Sequence, residues 1–333
     1  MTEPKDPVLE VDQLSVTFRA RHGDVEVLRD VSLSIGPGET LGVVGESGSG
    51  KSVTGAAIMG LLPSNADVTG SVRFLGQELL GAPESVMRDL RGRRIAVVAQ
   101  DALTALNPVH TVGSQIAEAI KVHDSGPTRA QLRARAIDLL DLVGIPQPSA
   151  RVDSYPHEFS GGMRQRALIA MTVANEPDLI IADEPTTALD VTVQAQVLDV
   201  LARIQERTSS SLMLITHDLG VVAGVADRVL VMYSGSPVES SDVDSLFHAT
   251  THPYTRGLLA SMPRIDSRDR SVPLYRIPGL QPSPAQRPPG CPFHPRCDVA
   301  VVGTCDVDLP LPTLVGPGHI SACHLAESTG GRP

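Results

Sequence analysis

One segment constrains this chain more than any other, because it matches the phosphate-binding pattern G-x-x-x-x-G-K-S/T at every fixed position. It comprises Gly45, Glu46, Ser47, Gly48, Ser49, Gly50, Lys51 and Ser52. The segment follows an apolar run typical of a strand, and it opens a predicted helix whose N-terminus favours negative charge. Lys51 is placed to reach the β- and γ-phosphates of a nucleotide, and the Ser52 hydroxyl to bind Mg²⁺. The pattern therefore predicts an α/β fold that binds a nucleotide.

Four short apolar runs, at residues 41–44, 95–98, 179–182 and 212–215, predict strands of a mainly parallel sheet buried on both faces. A helical insert is predicted between the second and third runs, at about residues 101–178. Its clearest helix begins at Thr128, where Gln131 completes a capping box. The buried face is predicted from helical spacing at Leu132, Ala136, Leu139, Leu140 and Val143, before Gly144 and Pro146 end the helix.

Composition excludes several classes of protein. The formal net charge of -10 and the aromatic content of 3%, with no Trp, argue against a surface for nucleic acid. No apolar run approaches the roughly 20 residues of a spanning helix, and the polar start lacks the features of a signal peptide. We therefore expect a cytoplasmic chain that binds no nucleic acid, and any pore it serves must belong to another chain.

Two carboxylates follow the third predicted strand. Asp183 lies where a second contact to Mg²⁺ is needed, and Glu184 is placed to polarise an attacking water. A strand that ends in Asp-Glu is by itself equally typical of a solvated edge. The phosphate-binding segment upstream favours the catalytic interpretation.

A further motif, Ser160, Gly161, Gly162 and Met163, precedes the same strand. Ser160 and a helix N-terminus suit a γ-phosphate, and Gly162 permits close backbone approach; the alternative is an ordinary Ser-capped helix. The motif resembles the LSGGQ signature of ABC ATPases, although Phe159 and Met163 depart from the commonest letters.

The order of the remaining motifs strengthens that resemblance over residues 8–245. Gln100 stands where the family has its Q-loop, Asp190 where it has its D-loop, and His217 where it has its switch histidine. The resemblance implies an ATP hydrolase with Glu184 as general base, His217 as clamp on the γ-phosphate, and Gln100 as contact to Mg²⁺ and water. Phe18 is expected to stack on adenine, unless it packs in the core.

The family's fold is a mainly parallel sheet with an antiparallel β part and a helical subdomain. Its members sandwich ATP between two such domains, so the signature of this chain is expected to act on a nucleotide held by a second, homologous ATPase subunit.

Beyond residue 245 the chain resembles the oligopeptide/dipeptide branch of ABC importers, at residues 252–259, 277–279 and 291–297. We therefore predict a nucleotide-binding domain at 1–245 and a C-terminal extension at 246–333, in the ATPase subunit of a peptide importer. The branch implies two membrane-spanning permeases, an extracytoplasmic solute-binding protein, and a peripheral position on the cytoplasmic face of the inner membrane. Nickel and glutathione are alternative cargoes. A soluble, non-transport ABC ATPase and a non-catalytic partner are rival interpretations, and the latter is expected to lose Glu184 or His217.

All four cysteines, Cys291, Cys297, Cys305 and Cys323, lie in the last 43 residues. Four thiolates are a full set of ligands for one iron–sulfur cluster. Members of the importer branch that this chain resembles carry a 4Fe–4S cluster on a similar tail. The absence of a C-x-x-C pair weakens the zinc alternative, for which His294 and His324 are candidate ligands. Free or disulfide-bonded cysteines are the third possibility. A Pro-rich connector at about 263–290 is predicted to lead into this tail.

Overall fold

The computed structural model describes residues 6–21, 23–187, 189–262 and 275–326. Its strands are β1 (Leu9–Phe18), β2 (Val25–Ile35), β3 (Thr40–Val44), β4 (Ala66–Phe74), β5 (Gln77–Glu78), β6 (Ile95–Val98), β7 (Leu179–Asp183), β8 (Ser211–Thr216), β9 (Arg228–Tyr233), β10 (Ser236–Asp242), β11 (Thr313–Gly316) and β12 (His319–Ser321). Its α-helices are α1 (Lys51–Ile58), α2 (Glu84–Leu90), α3 (Ala102–Ala105), α4 (Val112–Lys121), α5 (Arg129–Leu142), α6 (Pro148–Arg151), α7 (Gly161–Thr172), α8 (Val191–Thr208), α9 (Leu219–Val225), α10 (Val243–Ala249) and α11 (Pro253–Ala260).

The chain divides into two compact units. The first comprises Met1–Leu9, Ser34–Thr40 and Phe74–Ile215, and the second comprises Glu10–Leu33, Leu41–Arg73 and Thr216–Pro333. The predicted boundary near residue 245 does not coincide with this division, since residues 216–333 share a unit with the phosphate-binding segment. The boundary between nucleotide-binding domain and extension stays a prediction.

The first unit contains a parallel sheet in the order β8-β7-β6. Ile95 of β6 lies opposite Leu179 of β7, and Leu179 lies opposite Ser211 of β8. Residues 179–182 are buried, as is every residue of β8. The strands predicted at 95–98, 179–182 and 212–215 are therefore confirmed, because continuous apolar runs suit strands covered on both faces.

The helices between β6 and β7 confirm the predicted helical insert, and its status as a subdomain at about residues 101–178 stays a prediction. Helix α5 begins after Thr128, whose side chain accepts a hydrogen bond from the Gln131 backbone while the Gln131 side chain reaches back, as a capping box requires. Leu132, Ala136 and Leu140 are buried, and α5 packs against α4 and α7.

In the second unit, β3 runs parallel to β9, with Leu41 opposite Arg228, and β10 returns antiparallel to β9. The predicted strand at 41–44 is thus confirmed as part of β3, whose five residues are all buried. A separate sheet holds β1 between β2 and β4. The mainly parallel core and the additional antiparallel part agree with the predicted fold class.

The C-terminal residues extend the sheet of this second unit. Strand β12 pairs antiparallel with β10, placing Ser321 opposite Glu239, and β11 pairs with β12. Phe293 and Ile277 are buried in one apolar cluster with Val44 and Val231. The tail therefore shares the core of the unit, which explains how so short a segment is ordered.

The predicted connector is only partly described, since residues 263–274 lie outside the described residues. Residues 275–290 run without strand or α-helix, apart from one turn of 3₁₀ helix at Pro284–Gln286. Proline removes the backbone N–H that a ladder or a helix interior needs, so this part fits the prediction.

Candidate functional site

The phosphate-binding segment joins β3 to α1 in a turn that requires glycine at two positions. A Cβ atom at Gly45 would lie 2.2 Å from the Met232 carbonyl oxygen, and one at Gly50 would lie 2.5 Å from Leu28 Cδ2. Gly50 also has a φ of +103°, in the left-handed region that favours glycine. At Gly48 the heavy atom nearest to an added Cβ would lie 4.0 Å away. The ends of the loop are packed, and its middle is open.

Lys51 begins α1 and is held at the loop itself. Its side-chain amine donates to the carbonyl oxygens of Gly45 at 2.8 Å and Glu46 at 3.0 Å. Gly50, at the N-cap of α1, offers no side chain to the first backbone N–H groups. An ammonium group and a helix N-terminus therefore face the same turn, which suits the phosphates of a nucleotide. Ser52 follows on the exposed side of the helix.

The predicted switch histidine lies in the second unit as well. His217 is exposed between β8 and α9. Its neighbour Asp218 fixes the turn, because the Asp218 N–H donates to Thr216 Oγ1 at 3.0 Å and its carboxylate accepts from the Gly220 N–H at 2.8 Å. This capped turn holds His217 at the strand end, and its role as a clamp stays a prediction.

In the first unit, Glu184 is oriented by two neighbours. The Gln100 side-chain amide donates to Glu184 Oε2 at 3.0 Å, and the Thr187 hydroxyl donates to the same oxygen at 2.8 Å. Glu184 has a φ of +47°, unusual for a residue with a long side chain, and its N–H donates to the Ile215 carbonyl at 2.9 Å. Backbone strain of this kind concentrates at functional sites. Asp183 precedes it as the last, partly buried residue of β7.

Gln100 and Glu184 were predicted to have separate catalytic roles, and the structure brings their side chains into contact. Thr187 was not predicted. It lies three residues after Glu184, and its N–H donates to the Glu184 carbonyl at 3.1 Å. This short spacing is the signal in the sequence that could have identified it.

The signature motif forms the start of α7. Ser160 is the N-cap, and its side chain accepts from the Met163 N–H at 3.3 Å. Ser160 and Gly161 are exposed, whereas a Cβ at Gly162 would lie 2.4 Å from Val193 Cγ1. The close neighbour of Gly162 is therefore α8, the helix that Asp190 caps by accepting from the Val193 N–H at 3.0 Å. Signature and D-loop are packed together, and Ser160 and Gly161 face outward.

Phe18, the expected partner of adenine, is the last residue of β1 and is partly buried. Its stacking on a base stays a prediction.

The four cysteines surround one small cavity. Cys291, Cys297, Cys305 and Cys323 all line a space of about 20 Å³, together with His252 and Phe293. All four are free of disulfide bonds. Backbone N–H groups of Val301 and Leu325 donate to the sulfurs of Cys305 and Cys323 at 3.4 Å each. Burial raises the pKa of the Cys291 thiol to about 11.

Within the described ranges, no group of three or more His, Cys, Asp or Glu is arranged to hold a single metal ion. A lone tetrahedral zinc needs its sulfurs within about 4 Å of one another, given a Zn–S distance of about 2.3 Å. The zinc alternative therefore gains no support. The cluster prediction gains none from this finding either, although its four cysteines line one cavity, and it stays a prediction.

Comparison with known proteins agrees with these motifs. Residues 28–187 match the ABC transporter family, and residues 238–305 match the oligopeptide/dipeptide transporter C-terminal region. The dipeptide transport ATP-binding protein DppD of Escherichia coli is 46% identical over 98% of this chain and 99% of its own length. This chain belongs to the ATP-binding proteins of ABC transporters. Among the parts of this ABC protein that the structure describes, no helix is long and apolar enough to span a bilayer.

Other ABC relatives show the same branch. The oligopeptide transport ATP-binding protein OppD of Mycobacterium tuberculosis is 52% identical over 98% of this chain, which spans only 53% of that protein. The chain thus covers about half the length of that relative. A putative peptide import ATP-binding protein of Brucella abortus is 48% identical over 95% of this chain and 94% of its own length.

Solved structures of ABC cassettes share the fold. A dimeric structure of the ATP-binding cassette MJ0796 in a post-hydrolysis state, bound to ADP and Pi, aligns over 71% of this chain with a TM-score of 0.63 and 24% identity. CbiO1 of Clostridium perfringens, part of the cbiONQ ABC transporter complex, aligns over 73% with a TM-score of 0.62. These likenesses establish the fold class.

Proposed function

We propose that this chain is the ATP-hydrolysing subunit of an ABC importer for di- or oligopeptides. The observation that carries the proposal is the coexistence of a phosphate-binding loop and an oriented Glu184 carboxylate with the oligopeptide/dipeptide C-terminal region at residues 238–305. Relatives that are 46–52% identical over 98% of this chain are named as oligopeptide or dipeptide transport ATP-binding proteins. Neither rival class accounts for that C-terminal region, and a non-catalytic partner would not need Glu184 or His217.

The residues divide the chemistry among them. The loop N–H groups and Lys51 bind the β- and γ-phosphates. Ser52, Asp183 and Gln100 would hold Mg²⁺, which would supply positive charge beside those phosphates. Glu184 accepts a proton from the attacking water, since Gln100 and Thr187 both fix its Oε2. His217 stabilises the γ-phosphate.

A complete site needs a second ATPase domain in this proposal. Ser160 and Gly161 are exposed at the start of α7 and are available to a nucleotide held by another chain. The partner is a homologous ATPase subunit, and closure of the pair drives two membrane-spanning permeases. The ATPase pair lies at the cytoplasmic face of the inner membrane, and an extracytoplasmic binding protein delivers the cargo to the permeases from the opposite side.

The isolated chain is therefore expected to be a weak ATPase. Its turnover per chain should rise with protein concentration, because pairing of two domains completes each site. Phosphate release measured from about 0.1 to 50 μM, a range that spans the affinity of weak association, checks this expectation. Sedimentation at the same concentrations identifies the monomer, and a rate independent of concentration from that monomer would contradict the shared site.

Peptide import is tested in the assembled transporter. The chain, two permeases and a solute-binding protein are expected to co-purify, and peptide-loaded binding protein should stimulate ATP hydrolysis. Nickel and reduced glutathione serve as competing cargoes in the same assay. If nickel or glutathione stimulated hydrolysis and peptides did not, the cargo would be nickel or glutathione instead of a peptide. The proposed ATPase role would stand. Failure to associate with any permease would favour a soluble, non-transport ATPase.

The four thiols are proposed to hold one 4Fe–4S cluster with a structural role. They line one cavity, and two of the sulfurs already accept backbone hydrogen bonds, which tune such clusters. A bound cluster would supply cross-links between Cys291, Cys297, Cys305 and Cys323, and these would add to the core contacts that order the tail.

Replacing Cys297 with Ser should abolish the brown colour and the acid-labile sulfide of anaerobically purified protein. The matched control is His324→Gln, because His324 lines the same cavity but is a ligand only in the zinc alternative. Iron, sulfide and zinc are measured for wild type and both variants. A loss of about four irons per chain in Cys297→Ser, but not in His324→Gln, would support the cluster. Stoichiometric zinc without sulfide in the wild type would contradict the cluster and favour the zinc alternative.

A further inference from the structure

The C-terminal region reaches the phosphate loop through a paired arginine. Both terminal nitrogens of Arg296 contact the carboxylate of Glu46, at 2.8 Å to Oε2 and 3.0 Å to Oε1. Only 6% of the Arg296 side chain is exposed, against 29% for Glu46. Such a bidentate pair fixes the direction of both side chains. Glu46 is the second residue of the phosphate loop, and Arg296 lies between two cysteines of the tail.

Arg296 is itself held rigidly from several sides. Its Nε donates to the Pro278 carbonyl at 2.8 Å, and one terminal nitrogen approaches the Tyr233 hydroxyl at 3.4 Å. The guanidinium also lies 5.8 Å from the Tyr233 ring and 6.0 Å from the Phe293 ring, within the range of cation–π attraction. The arginine is therefore a fixed charge rather than a mobile surface group.

A second group anchors the same loop residue. The Tyr254 hydroxyl accepts a hydrogen bond from the Glu46 N–H at 2.9 Å. Tyr254 is fully buried, and the centroid of its ring lies 4.6 Å from that of the Tyr233 ring and 5.4 Å from that of the Phe293 ring. Backbone and side chain of Glu46 are thus both held by residues beyond the nucleotide motifs.

Glu46 connects these anchors to the lysine of the loop. Its carbonyl oxygen accepts from Lys51 Nζ at 3.0 Å and from the Ser49 N–H at 3.2 Å. Its carboxylate belongs to the loop proposed to hold the phosphates and would repel them if it were unpaired, because like charges disfavour each other. Arg296 neutralises that carboxylate, and Tyr254 fixes the backbone that receives Lys51.

We propose that Arg296 and Tyr254 are positioning residues for the nucleotide, acting through Glu46 on the phosphate loop. The affinity for ATP thereby depends on the fold of the cysteine-bearing tail. This inference rests on the proposed function only in assuming that the loop binds a nucleotide.

The test is the affinity for MgATP, measured by calorimetry on the full-length chain. Arg296→Met should weaken binding by about tenfold, as expected for a coupling of moderate strength. Glu46→Gln removes the repelling charge together with the need for Arg296. The double variant, Arg296→Met with Glu46→Gln, should therefore bind more tightly than Arg296→Met alone. Tyr254→Phe should weaken binding by about threefold, as one lost hydrogen bond implies.

Arg287→Met is the matched control. Arg287 has 7% of its side chain exposed and pairs with Glu26, 33% exposed, at 2.9 Å, so its burial resembles that of Arg296 while its carboxylate partner lies outside the loop. The Arg287→Met variant should leave the affinity for MgATP within about twofold of wild type, a change smaller than the weakest coupling expected here. Equal weakening by both arginine variants, or additive losses in the double variant, would overturn the positioning role. If Arg296→Met does not fold, Arg296→Lys, which keeps the charge and loses the bidentate fork, is used in the same cycle.

Two further outcomes separate this inference from the proposed function. Lys51→Ala should abolish measurable binding while the wild type binds, which establishes the loop as the nucleotide site. A wild-type chain without affinity for MgATP would overturn both proposals. Normal wild-type binding with an unchanged Arg296→Met would overturn the positioning role alone.

Discussion

Glu184→Gln is expected to bind MgATP with normal affinity and to hydrolyse it at least about 10²-fold more slowly, since general base catalysis contributes about that much. The amide cannot accept the proton of the attacking water. It retains an oxygen that Gln100 and Thr187 can still contact, so the position of the side chain should survive. Phosphate release by the assembled transporter, together with calorimetric ATP affinity, checks both halves of the prediction.

Glu176→Gln supplies a matched control for this substitution. Glu176 lies in the same unit and also has a positive φ, +51° against +47° for Glu184, but it is exposed and belongs to none of the predicted motifs. Its conversion should leave turnover unchanged. Near-normal turnover in Glu184→Gln would reject Glu184 as the base and leave Gln100 and Thr187 orienting a group with another role.

Local rules account for the features that the sequence predicted correctly. The strand at 95–98 is marked by an uninterrupted apolar run, and the helix after Thr128 by a capping box that needs only four residues. Gln100 and Glu184 were each predicted as catalytic residues from family resemblance, and the structure brings these side chains within 3.0 Å. In each case the signal lies within a short stretch or a known order of motifs.

Contacts between distant segments could not be predicted in the same way. Arg296 and Glu46 are separated by 250 positions, and nothing near either residue identifies its partner. The pairing of β12 with β10 likewise joins distant positions, since Ser321 lies opposite Glu239. Gly162 was expected to permit close backbone approach, but the sequence did not identify Val193 as its close neighbour, which lies there because α7 and α8 pack closely at that point.

Glu239 is the buried carboxylate that joins the C-terminal strands to β10. Its side chain is fully buried and accepts from Thr250 Oγ1 at 2.7 Å and the Thr251 N–H at 2.7 Å, and it contacts His319 Nε2 at 2.8 Å. Burial alone would raise the pKa of Glu239, but hydrogen bonds from His319, Thr251 and Thr250 outweigh it and hold the pKa at about 2. The carboxylate is therefore ionised and satisfied in the folded chain.

Replacing Glu239 with Ala should lower the free energy of unfolding by about 3 kcal/mol, because several buried donors lose their acceptor. Chemical denaturation followed by circular dichroism measures this loss, and Glu10→Ala, which breaks the exposed pair with Arg73, should cost less than about 1 kcal/mol. The folded pKa lies below the ordinary 4.5, so the stabilisation is complete above pH 4.5 and disappears as the pH falls towards 2. The difference between wild type and Glu239→Ala should therefore be constant near neutrality and shrink between those two values. A difference that instead grew on acidification would show that Glu239 is protonated in the folded chain, and that the C-terminal strands are held without its charge.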